Sequence, residues 1–137
     1  MYPIKRLSRS EFVPVRHLRY HVRCWGQATP GQPPLVLLHG WMDVAASWQF
    51  VVDALVTERH IIAPDWRGFG FTEGGKVDHY WFPDYLADLE CLLDHYAAAT
   101  PVDLVGHSMG GNVAMLYAGV RPERIRRLVN LEGFGMP

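Results

Sequence analysis

An α/β fold, with a doubly wound and mostly parallel sheet, is predicted by three features of this sequence. A short, continuously apolar run at 35–38 and the largely apolar segments 60–63 and 102–105 have the composition of buried strands. Segments of helical period lie between and after them, so that strand and helix alternate along the chain. The run at 102–105 leads through Gly106-His107-Ser108-Met109-Gly110 into a helical pattern, a glycine-rich bend between a strand and a helix.

In chain order, residues 17–24 alternate, with Leu18, Tyr20, Val22 and Cys24 on one face and His17, Arg19, His21 and Arg23 on the other. A period of two predicts a half-exposed antiparallel strand with a basic outer face. Residues 11–15 are its expected hairpin partner, which Pro14 confines to an edge. Together they give an amino-terminal antiparallel hairpin at about 11–25, followed by a turn-rich connection over 27–34. After the strand at 35–38, Ser47 is the expected N-cap of a helix. Its Trp48, Val51, Val52 and Leu55 fall at i, i+3, i+4 and i+7. The strand at 60–63 ends at Pro64-Asp65. A helix is predicted over 83–98, with Pro83 and Asp84 suiting its first turn. Its apolar stripe is Leu86, Leu89, Leu93 and Tyr96, and its wet stripe Asp84, Asp88, Cys91 and His95. A helix over 109–120 follows the strand at 102–105, with Val113, Leu116, Tyr117 and Val120 on one face, and stops at Pro122. Residues 125–131 supply the last strand.

The 137 residues suffice for one domain with a sizeable core and are too few for two. A hydrophobic fraction of 49% and a charged fraction of 20% are ordinary for a soluble globular protein. The net charge of −1 gives no electrostatic reason to expect nucleic acid or an anionic membrane as partner. No apolar run approaches the ~20 residues needed to span a bilayer, and the basic residues near the amino terminus have no apolar stretch behind them, so no signal peptide is read. A cytoplasmic protein is the expectation. Cys24 and Cys91 match no metal or redox spacing and are expected as reduced, packed thiols.

The bend at 106–110 carries the strongest chemical signal. A tight strand-to-helix turn pushes one hydroxyl, that of Ser108, above the sheet, and glycines at 106 and 110 remove the Cβ atoms that would clash there. The helix that follows offers free N–H groups to a developing negative charge. A second signal, His39-Gly40-Trp41, follows the strand at 35–38 directly. Acyl transfer needs two N–H donors aimed at the carbonyl oxygen as it becomes an oxyanion; Met109 and Trp41 are the expected donors. His39 is expected to hold the loop by side-chain hydrogen bonds rather than to act as a base.

His-Gly-Trp after a strand, then Pro64-Asp-Trp-Arg-Gly-Phe-Gly70, then Gly106-His-Ser-Met-Gly-Gly111 resembles the α/β-hydrolase superfamily over nearly the whole chain. The resemblance implies a mostly parallel eight-stranded sheet and a triad in the order nucleophile, acid, histidine. Serine at the elbow suits carboxylesterases, lipases, thioesterases and carbon–carbon bond hydrolases, and argues against dehalogenase-like and epoxide-hydrolase-like members, which typically place Asp there. The family's acid usually follows the seventh strand and its histidine the eighth, whereas this sequence stops at Pro137, just past the sixth. The chain is therefore expected to be the amino-terminal portion of such a domain, truncated after about the sixth strand. None of its histidines follows that strand; Glu132, at the end of it, stands where some members carry the acid. His107 is expected to point away from the serine's side of the turn.

The resulting expectation is a hydrolase of ester-like small molecules, acting on carboxylic esters or thioesters through an acyl-enzyme at Ser108, with no metal or organic cofactor. This polypeptide alone is expected to turn over poorly, because a serine without its base is a weak nucleophile. The alternative is a non-enzymatic binding or scaffold protein that keeps the hydrolase core. Three features are set aside. Gly70 to Lys76 fits the first seven positions of a phosphate-binding loop, but Val77 stands where a Mg²⁺-binding hydroxyl belongs. Asp65 and Arg67 are read as a loop-bracing ion pair, and His79-Tyr-Trp-Phe82 as aromatic packing over a core edge. An exposed last strand is expected to favour self-association.

Overall fold

The computed structural model describes residues 2–98 and 100–134. Among the described residues six strands form one sheet: β1 (Arg9–Val15), β2 (Leu18–Trp25), β3 (Leu35–Leu38), β4 (Ile61–Pro64), β5 (Val102–His107) and β6 (Ile125–Leu131). Their order across the sheet is β1-β2-β4-β3-β5-β6. β1 and β2 pair antiparallel, as do β2 and β4, while β3 runs parallel to both β4 and β5, and β5 parallel to β6. The helices among the described residues that cover the sheet are α1 (Gln49–Ala54), entered through a 3-10 turn over Ala45–Trp48, α2 (Phe82–Ala97) and α3 (Met109–Val120).

The doubly apolar strands explain why helices cover both faces. In β3, Leu35 and Leu37 point into a core with Trp25, Trp48, Val52, Ile61 and Ala63. Val36 and Leu38 point the other way, into a larger core with residues of α2 and α3 such as Leu89, Leu93, Val113 and Tyr117. Such strands are stable only when both faces are covered. α1 therefore lies on one side and α2 with α3 on the other. The hairpin begins at Arg9, two residues before its expected start, and β1 is an edge strand, which Pro14 tolerates. Among the described residues no helix is long and apolar enough to cross a membrane. Cys24 is buried, Cys91 half-buried, and both are free thiols.

Four expectations need correcting. Ser47 is no N-cap: it lies inside the 3-10 turn, whose capping residue is Val44, and its hydroxyl donates to Asp43. Val51 is exposed, because the short 3-10 segment rotates α1 relative to a uniform helix. In α2, Asp88 is fully buried rather than wet, while Leu86 and Tyr96 are only half-buried. In α3 the apolar stripe is displaced: Leu116 and Val120 are exposed, and Gly110, Gly111, Val113, Ala114 and Tyr117 face inward. The two glycines bring the helix backbone itself onto the sheet, so bulk is not what the contact face selects.

Candidate active site

β5 runs two residues past its apolar core to His107, and α3 starts at Met109, so Ser108 alone makes the turn. Its backbone sits at φ 50° and ψ −116°, a region that L-residues enter only under constraint. Two close approaches and two hydrogen bonds hold it. A Cβ on Gly106 would collide with the carbonyl of Gly110, and a Cβ on Gly110 with the carbonyls of Leu38 and His39. The Ser108 N–H donates to the Leu131 carbonyl at 2.9 Å, and the Asn112 N–H closes the first turn of α3 onto the Ser108 carbonyl at 3.0 Å. The Ser108 side chain is half-buried, and its hydroxyl makes no hydrogen bond to a side chain among the described residues.

The loop after β3 lies against this turn. The position a Cβ would take on Gly40 is 3.2 Å from Ser108 Cβ and 3.1 Å from His107 Nδ1. His107 is exposed, with its ring edge against Gly40. His39 is fully buried and fixed at both nitrogens. Nε2 accepts the Trp66 N–H at 2.9 Å, so Nδ1 carries the proton and donates to the Gly40 carbonyl at 2.8 Å. Burial pushes the His39 pKa down, favouring the neutral ring that this pattern requires. With no free nitrogen, His39 is a brace. Trp41 is 61% exposed, its ring set edge-on to Phe69 at 5.4 Å. Neither the Trp41 nor the Met109 N–H donates in the turn and loop hydrogen bonds of the described residues.

The loop after β4 is held by separate anchors, not by the Asp65–Arg67 pair expected from the sequence. The Asp65 carboxylate accepts the Ala45 N–H at 2.7 Å, the Phe71 N–H at 3.0 Å and His21 Nδ1 at 2.7 Å. Arg67 instead makes a bidentate pair with Asp88 in α2, at 2.7 and 2.8 Å, and Asp88 also accepts the Tyr20 hydroxyl at 2.6 Å. The hydrogen bond to Asp88 outweighs burial and raises the Arg67 pKa further. Burial first, and then Asp88, raises that of Tyr20. Of the aromatic run 79–82, Tyr80 lies over Gly68 and Phe82 packs on Tyr85, whereas Trp81 is exposed.

Glu132 follows β6 with φ 55° and an exposed side chain, one residue beyond the carbonyl that accepts the Ser108 amide. Beside it is a bracing residue the sequence reading missed. Asn130 Oδ1 accepts the Gly133 N–H at 2.8 Å and Nδ2 donates to the Gly133 carbonyl at 2.6 Å, closing a turn that packs on Gly111. An Asn three residues before a Gly at a strand end is the available signal for it. Ser108, the Trp41 loop, Met109 and the β6 end thus share one end of the sheet. No group of three or more His, Cys, Asp or Glu side chains is placed to hold a metal ion among the described residues.

Comparison with known proteins gives a consistent picture. The profile of the family described as alpha/beta hydrolase fold matches residues 33–137. A 2-hydroxy-6-oxo-2,4-heptadienoate hydrolase of Pseudomonas putida is 39% identical over 106 residues, which are 75% of this chain and 38% of that protein. A serine hydrolase-like protein of Danio rerio is 34% identical over 134 residues, covering 95% of this chain and 40% of its own. The crystal structure of an epoxide hydrolase from Vigna radiata superposes with a TM-score of 0.82 at 28% identity, over 95% of this chain and 41% of that one. The chain therefore spans about two fifths of the length of these relatives. With its sheet order, its elbow turn and this match over residues 33–137, the chain belongs to the alpha/beta hydrolase fold family.

Proposed function

We propose that this chain carries the nucleophile of a serine hydrolase acting on carboxylic ester or thioester bonds. The observation that supports it most is the Ser108 turn: a non-glycine residue held at φ 50° between a buried strand and a helix, with a half-buried, unbonded hydroxyl. Strain of this kind costs of order 1–3 kcal/mol and persists where the surroundings over-determine it. In the proposed reaction Ser108 Oγ attacks the carbonyl carbon, and the developing oxyanion takes the Met109 and Trp41 N–H groups. Each such donor is worth about 3–4 kcal/mol of transition-state stabilisation. Glu132, exposed just past the carbonyl that fixes the Ser108 amide, is a secondary candidate for the acid, after a charged strand end as its plain reading.

No histidine ring bonds to Ser108 Oγ among the described residues, so the 137-residue polypeptide by itself is expected to turn over slowly. Loss of a triad base costs about 10⁶ in kcat. Added imidazole supplies a base from solution. The test is incubation of the polypeptide with p-nitrophenyl butyrate and free imidazole, followed by peptide mass spectrometry. A butyryl group on the Ser108 peptide, absent in Ser108→Ala, is expected. A peptide that stays unmodified at every imidazole concentration would leave only a binding or scaffold role. Ester turnover without imidazole at the rate of a complete triad enzyme, lost in Ser108→Ala, overturns the slow-turnover expectation.

A second reading is favoured by the Pseudomonas putida relative, whose name specifies a 2-hydroxy-6-oxo-dienoate substrate. Following the absorbance of such a dienoate alongside the ester, under the same imidazole rescue, separates the two.

A further inference from the structure

We propose that Ser10, His21 and Asp65 form a second nucleophilic relay, in which Ser10 Oγ takes the acyl group of small carboxylic esters. The strand register assembles it. Phe12 is paired with His21 and Ser10 with Arg23 across β1 and β2, so Ser10, Phe12, His21 and Arg23 share one face. Arg23 in turn is paired with Ala63 of β4, and two residues on, the Asp65 N–H donates to the His21 carbonyl at 3.0 Å. Period two then puts the Asp65 side chain on the same face, beside His21.

The contacts run in one chain. His21 Nδ1 lies 2.7 Å from Asp65 Oδ2 and His21 Nε2 lies 2.9 Å from Ser10 Oγ. A carboxylate only accepts, so Nδ1 carries the ring proton, and Nε2 of the neutral ring accepts the Ser10 hydroxyl proton. That is the tautomer and orientation a serine–histidine–aspartate relay needs, and such relays are recognised by geometry rather than chain order. The ring is held between Phe12 and Phe71, each at 5.2 Å between centroids. The Ala45 and Phe71 amides fix the carboxylate. Burial is graded as the chemistry requires: His21 and Asp65 are 1% and 2% exposed, whereas Ser10 is open to solvent.

Two neighbours point to the acceptor. The Arg23 guanidinium shares the face with Ser10 and donates from Nη1 to Ser8 Oγ at 2.7 Å, which sets a positive charge on the face where an oxyanion at Ser10 would form. On the His21 and Asp65 side of the relay, though not touching Ser10, lies a cavity of about 220 Å³ lined also by Arg23, Val44 and Phe71. Cavities for drug-sized molecules start at roughly 300 Å³, so only a small group could enter it. The relay stands apart from Ser108: β1 and β5 are separated by four strand spacings, about 19 Å.

In the step proposed, Ser10 Oγ bonds to the ester carbonyl carbon as His21 Nε2 takes its proton. The bond from that carbon to the alcohol oxygen then breaks, and His21 returns the proton to the leaving alkoxide. The products are O-acyl-Ser10 and the free alcohol.

The test treats the Ser108→Ala chain with p-nitrophenyl acetate and reads acetylation of the Ser10 peptide by mass spectrometry, so the elbow serine contributes nothing. Acetyl on Ser10 is expected in the folded chain. It is absent from Ser10→Ala, absent when the chain is unfolded in urea, and formed about 10²–10⁴-fold more slowly in His21→Asn, the factor a positioned general base contributes. Acetyl groups confined to amines overturn the proposal, as does equal labelling of Ser10 in folded and urea-unfolded chain. Equal rates in His21→Asn and its parent overturn it as well. The urea comparison needs no replacement of a buried residue, and failure at Ser10 leaves the reading of Ser108 untouched.

Discussion

At Ser108 the backbone works against the residue that occupies it. Its φ of 50° and ψ of −116° suit glycine far better than serine. Ser108→Gly is therefore expected to raise the unfolding free energy by about 1 kcal/mol in urea titrations while removing the nucleophile. Ser108→Ala, which keeps the Cβ, leaves stability nearly unchanged. His39 shows the opposite relation between residue and surroundings. Its ring is buried, doubly bonded to backbone, and its pKa depressed. A histidine whose native pKa lies below the unfolded value contributes stability that is complete above about pH 6.5, the unfolded pKa, and is lost as pH falls through that value toward the native pKa. His60, also depressed, by burial first and then by Arg9, adds to the same slope. Melting temperatures recorded from pH 8 down to pH 5 are expected to fall below about pH 6.5. The fall is shallower in His39→Gln, which has nothing to protonate; an equal slope in the two proteins would refute this account of His39.

Helix α3 and strand β5 show how an element is selected by close approach. A Cβ on Gly106 meets the backbone of α3 head-on, whereas one on Gly119, ten residues into the same helix region, meets nothing within 4 Å. Gly106→Ala is expected to cost about 3 kcal/mol through overpacking. Gly119→Ala is expected to add about 0.5–1 kcal/mol through helix propensity. Chemical denaturation of both variants checks the pair of signs. The strands at this level were legible in the sequence because doubly buried strands are unbroken apolar runs, and Leu35–Leu38 appears as read. The elbow was legible because a strand, a glycine-flanked serine and a helix follow one another locally. What escaped the reading depends on partners remote in sequence. Asp88 and His21 look like solvent-facing members of their periods, and are buried because Arg67 and Asp65 meet them from 21 and 44 residues away. A stripe of alternating polarity holds no information about such a partner.

Across the whole molecule the two edges of the sheet differ. β1 ends the sheet at one side with Val13 and Val15 buried beneath it. β6 ends it at the other with Leu128, Val129 and Leu131 at 36%, 48% and 41% exposure and one row of backbone groups unpaired by the described strands. An apolar, unpaired edge is a template for another strand. Sedimentation velocity over a concentration series is expected to show dimers or larger species, and Val129→Lys to shift the distribution toward monomer. A single monomeric boundary at the highest concentration, in the unaltered chain, would speak against that role for β6.

The bond from the Ser108 amide to the Leu131 carbonyl also orders events in time. During synthesis, residues 102–120 leave the ribosome before the segment that supplies this acceptor. The bend at Ser108 is then without its tether until Leu131, 23 residues beyond it, has been added and the last parallel strand has docked. A ribosome-stalled nascent chain released at residue 125 should carry a loose, protease-sensitive elbow, and one released past residue 134 a closed one.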